Sequence, residues 1–176
     1  MVRSITLAFI FLVICFDTSC SRAPEGKKLI DEINAAKVKA GQLRDEAELK
    51  RQAANEKKRS GDESEAYRLI DEAAKLWGQA SDTLTEAANK AKELAKLQSP
   101  SWYAEYFGLQ ARFIENFAQL ADGAGKELIV RKSGPPSESQ LQSWRDNLNR
   151  IKEDNEKLKK QITAIESRQG IVLIKE

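Results

Sequence analysis

Residues 137–170 read SESQLQSWRDNLNRIKEDNEKLKKQITAIESRQG, and this stretch decides the fold. Leu141, Trp144, Leu148, Ile151, Asn155, Leu158, Ile162 and Ile165 follow one another at steps of three and four. That spacing places one residue per turn on a single helical face, the heptad pattern of a helix packed against other helices. Ser137 with Gln140 forms a capping box at the start, and Gly170 suits the left-handed turn at the end. A strand would alternate with period two, which this segment never does.

Working backwards, Ser133-Gly134-Pro135-Pro136 is the clearest loop in the chain. Before it lies a segment carrying Trp102, Tyr103, Tyr106, Phe107, Phe113 and Phe117 beside Ile114, Leu120 and Leu128. The sequence predicts this third helix to be the most buried. Gly123 and Gly125 each weaken it by about 1 kcal/mol relative to alanine, so they mark a bend or a close helix crossing. Ser99-Pro100-Ser101 opens it, because proline fits a first helical turn and serine can cap.

A second helix is read from Ala66, Ile70, Ala73, Trp77, Ala80, Leu84, Ala87, Ala91 and Leu94. A first is read from Leu29, Ile33, Ala36, Ala40, Leu43, Ala47 and Ala54, with Lys50 interrupting the series. Gly61 stops the first, and Asp62 with Glu65 caps the second. The short link makes the two an antiparallel hairpin, and the alanines let the backbones approach closely. Leu29-Ile30-Asp31-Glu32 returns as Leu69-Ile70-Asp71-Glu72, consistent with an old helix duplication. The expected fold is all-α: an elongated antiparallel bundle of about four long helices with coiled-coil-like heptad packing, over residues 27–169. Lys50 and Gln110, polar at seam positions, suggest seams imperfectly covered toward the ends.

The N-terminus has another character. Arg3 is followed by a mostly apolar run from Ile5 to Phe16 and then by small polar residues, the layout of a secretory signal. The run is shorter than the about 20 residues a membrane span needs. Thr18-Ser19-Cys20 resembles the end of a bacterial lipobox, although Asp17 stands where that pattern has an aliphatic residue. The resemblance to bacterial envelope lipoproteins implies a signal at 1–19, a lipid on Cys20, and palmitate among the attached acyl chains. It implies a short linker over 20–26 and a place on the periplasmic side of the envelope, the outer membrane before the inner. Ordinary cleavage would instead leave a soluble periplasmic or secreted protein. Cys15 falls within the apolar run, so no disulfide is possible after cleavage.

Composition narrows function by exclusion. The 29 basic and 27 acidic residues nearly cancel, which provides no strong field for nucleic acid. The chain has no histidine, so the commonest general base and the usual zinc, haem or di-iron ligand are missing. The residues specify no catalytic group, metal, cofactor or small-molecule substrate. Gly123-Ala124-Gly125-Lys126 lacks the strand and the Ser or Thr of a phosphate loop. Asn155, alone in an apolar heptad, is a candidate for setting helix register or a partner contact. The expectation is a non-enzymatic envelope protein with a structural, scaffold or adaptor role, its partner an envelope protein or a second copy. The alternative is a soluble binding or chaperone-like module using the aromatic third helix as a groove. The tail from Ile171 to Ile174 is expected to pack on the end of the bundle.

Overall fold

The computed structural model describes residues 24–97 and 101–170; the signal segment, Cys20 and the tail after Gly170 lie outside the described residues. These residues form four helices: α1 (Pro24–Arg59), α2 (Glu63–Lys96), α3 (Ser101–Ser133) and α4 (Glu138–Gln169). Each measures about 50 Å at ~1.5 Å per residue. The fold is the expected all-α bundle, with no strand among the described residues. Helix α1 begins at Pro24, inside the stretch read as a linker; proline suits that position because a first-turn N–H would lack an intrahelical partner anyway.

The helix ends follow local chemistry. Gly61 adopts φ +84°, and the Asp62 N–H reaches back to the Lys57 carbonyl at 3.0 Å, closing the last turn of α1. The Asp62 carboxylate then accepts from the Glu65 N–H at 3.3 Å, opening α2. At α4 both halves of the Ser137–Gln140 capping box form, and Gly170 ends the helix at φ +65°.

Helix α2 is the centre of the molecule. Helices α1 and α3 run antiparallel along it on two sides, while α4 packs on α3 along a much sparser seam. This arrangement explains a difference from the heptad reading, in which α2 carried a single stripe including Ile70 and Trp77. A helix held between two others needs two apolar seams. Leu69 and Ala88 are therefore buried beside Ala66, Ala73, Ala80 and Ala87, while Ile70 and Trp77 are only half-buried. Alanine on both seams lets the backbones come together. Ser81 Oγ donates across to the Ala118 carbonyl at 3.0 Å. A Cβ at Gly125 would stand 3.2 Å from the Ala74 carbonyl oxygen and 3.3 Å from Trp77 Cβ, so this glycine marks a close crossing rather than a bend.

The α1–α2 hairpin has an internal symmetry. Two ion pairs cross it, Glu32 with Lys90 at 2.8 Å and Lys50 with Glu72 at 2.7 Å. A shift of 40 positions carries Glu32 to Glu72 and Lys50 to Lys90, turning one pair into the other. The same shift relates the buried residues Ile33, Ala40, Ala47 and Ala54 of α1 to Ala73, Ala80, Ala87 and Leu94 of α2. The repeated Leu-Ile-Asp-Glu tetrapeptide is thus the visible part of a two-fold relation extending along both helices.

Candidate functional site

Two depressions stand out among the described residues, both open to solvent. The larger depression, about 420 Å³, is open and is lined by Glu156, Lys159, Thr163 and neighbours on α4 alone. The smaller, about 310 Å³, lies between α1 and α2 at Lys39, Leu43 and Asp82. No group of three metal-donor side chains comes together among the described residues. The chemistry that remains is in the α3–α4 seam.

That seam is built from two polar clusters set in an apolar stripe. Ile151, Leu158, Ile162 and Ile165 of α4 are buried in register. Near the C-terminal end of α4, Tyr106 Oη donates to Glu166 Oε1 at 3.1 Å, and Gln110 Nε2 donates to Tyr106 Oη at 3.3 Å. Tyr106 is 0% exposed, Gln110 3% and Glu166 4%. Burial raises the Glu166 carboxyl above the ordinary carboxylate range, with the Tyr106 hydrogen bond offsetting part of the shift. Burial, and then the Glu166 charge, push the Tyr106 phenol far up. A carboxyl in such a place sacrifices solvation and gains only one neutral donor in return.

The second cluster holds the residue that the sequence singled out. Asn116 of α3 donates from one Nδ2 to Asn155 Oδ1 at 2.8 Å and to Asp154 Oδ2 at 2.9 Å. Arg112 donates to the other oxygen of Asp154 at 3.3 Å. Asn155 thus has its partner within the chain, on the neighbouring helix, in a position to fix the register of α4 on α3. Every buried side-chain polar atom among the described residues is hydrogen-bonded.

One placement differs from what spacing suggested. Gln110, read as a seam position left partly open, is fully buried, because Tyr106 supplies the partner that makes its burial tolerable. Lys50 is half-buried and bridges α1 to Glu72 of α2. The aromatics of α3 are mainly interior: Tyr103, Tyr106 and Phe107 are buried, and Tyr106 and Phe107 meet edge to face at 5.2 Å. Trp102, Phe113 and Phe117 are half-buried against the same core.

Sequence reasoning missed Glu166 and Asn116. Glu166 falls four residues after Ile162, which placed it near the buried stripe, but nothing local distinguishes a buried glutamate from its solvated neighbours. One further group stands apart. Lys37 of α1 retains some solvent contact as a residue, yet protein crowds its ammonium enough for burial to push it down to about 8.

No protein-family model, curated protein or solved structure matches this chain. Its function therefore rests on its own residues.

Proposed function

We propose that the protein is a non-enzymatic lipoprotein of the bacterial cell envelope, held by an acyl chain on Cys20 and working through helical protein–protein contacts as a scaffold or adaptor. The anchor rests on the signal-like run and Thr18-Ser19-Cys20 alone, and the observation that supports the helical-contact part is the tightness of the bundle. Alanine seams bring α1, α2 and α3 together, and their interior is filled by Leu84, Leu94, Tyr106, Phe107 and Ile114. Ligand sites are usually concave and enclose their ligand; the two depressions, one between Glu156 and Ser167 and one at Lys39 and Asp82, are open to solvent.

The outer faces are polar, and about half of the charged groups among the described residues are matched along or between helices, as in Arg68 with Glu65 and Glu72, Arg131 with Glu127, and Lys132 with Asp71. No described helix is long and apolar enough to cross a membrane, so attachment would depend on the segment before α1. A soluble chaperone-like module is the second reading, and the sparse α3–α4 seam is what favours it. Tyr106 lies under α4, so an aromatic groove on α3 would open only if α4 left.

Metabolic labelling with a fatty acid separates the two. The anchored protein incorporates label and fractionates with membranes, and Cys20→Ser abolishes both. Wild-type protein that is unlabelled and soluble would overturn the anchor and leave the soluble module.

A further inference from the structure

The α3–α4 seam is uneven along its length. Every buried residue of α4 lies between Ile151 and Glu166, and none lies in the stretch 138–150 nearest the loop. Yet the heptad stripe continues through that stretch as Leu141, Trp144 and Leu148, all only half-buried. Arg131 covers part of Trp144, with its guanidinium 5.9 Å from the ring centroid. Ile129, near the end of α3, is 44% exposed. The apolar stripe is therefore less completely covered toward the turn between the helices.

The turn itself is short and stiff. Gly134 has φ +148°, a conformation open mainly to glycine, and Pro135-Pro136 follows with both φ angles restricted and no N–H to continue a helix. The chain reverses within residues 134–137, and a different backbone conformation at Gly134 would direct α4 away from its own α3. Short hinges of this kind favour exchange of an element between identical chains, because the exchanged element makes the same contacts in its new place.

We infer that α4 exchanges between two copies of this chain, giving a dimer in which each α4 occupies the seam of the other copy's α3. The Asn116–Asn155 and Tyr106–Glu166 hydrogen bonds are then made between copies and keep the same register. The two hinges come together at the dimer centre, where the half-buried Leu141, Trp144 and Leu148 and the exposed Ile129 of both chains gain further cover. This deepens the helical-contact reading by naming its partner as a second copy, and it does not depend on the lipid.

The test uses full-length chains in detergent with Cys15→Ser and Cys20→Ser, one carrying Asn116→Cys and the other, marked by a size tag, Asn155→Cys. After mixing at high concentration, a short bismaleimide should join the two chains into one band of mixed mass. A chain with both Asn116→Cys and Asn155→Cys reports whether the seam forms at all. If that chain closes on itself while the mixed chains stay separate, exchange is ruled out. Light scattering of the wild type gives an independent reading that needs no substitution in the seam: a dimer mass that rises with concentration is expected, and a monomer mass at every concentration overturns the inference. Because Cys20 is absent from the crosslinked chains, failure here leaves the anchor standing, and failure of fatty-acid labelling leaves the exchange standing.

Discussion

Burial disfavours the charged form of Glu166. Its carboxyl is raised, so the folded state holds the proton more tightly than the unfolded chain. That group costs nothing in acid, where both states are protonated, and its cost grows as pH rises through the ordinary carboxylate range. Glu166→Gln keeps a side chain able to accept from Tyr106 but removes the charge. The variant should therefore melt close to the wild type in acid and increasingly above it toward neutral pH, in paired thermal melts across that range. A constant offset at every pH would show that the charge is not the cause. Gly125 and Gly123 make a second contrast. Alanine at Gly125 gains helix propensity, about 1 kcal/mol, but its Cβ meets the Ala74 backbone at 3.2 Å and forces the α2–α3 seam apart. Overpacking costs roughly 1–3 kcal/mol, so Gly125→Ala should lose stability on balance. Gly123 has nothing within 4 Å of the added atom, and Gly123→Ala should gain up to about 1 kcal/mol by chemical denaturation.

At the scale of the helix, starts and stops were legible because they are local. Asp62, Ser137, Gly61 and Gly170 act within one turn, and each sits where the sequence placed it. Ser137→Ala should cost about 1 kcal/mol in equilibrium unfolding, the usual value of an N-cap. Partner choice was less legible, because it depends on residues far apart in the chain. Nothing near Leu69 or Ala88 says that α2 lies between two helices. Nothing near Asn155 says that Asn116, 39 positions earlier, completes it. The tetrapeptide repeat did hint at the two-fold relation of α1 and α2, though the cross-pairing of Glu32 with Lys90 and of Glu72 with Lys50 needed three dimensions. These pairs are open to solvent, so each should contribute little and weaken further as salt is added. Double-mutant cycles built on Glu32→Lys with Lys90→Glu, and on Glu72→Lys with Lys50→Glu, should return similar couplings. Unequal couplings would limit the symmetry to backbone shape.

For the whole molecule, the architecture is a tight three-helix core with a fourth helix laid against one side. The candidate site follows the same division: its polar keys lie where α4 meets α3, while the proposed anchor on Cys20 falls outside the described residues. Composition and heptad spacing revealed the bundle, and the missing histidine narrowed its chemistry. The unequal packing of α4 was not readable, since its heptad stripe is as regular as any in the chain. That inequality is the central structural claim, for both the exchange of α4 and any opening of α3 depend on it. Native-state hydrogen exchange measures it directly. Amides in the middle of α2 should exchange only with global unfolding, while those of α4, first from 138 to 150, should exchange through an opening that leaves α1, α2 and α3 protected. Equal protection across α4 and α2, lost together in a single transition, would contradict it.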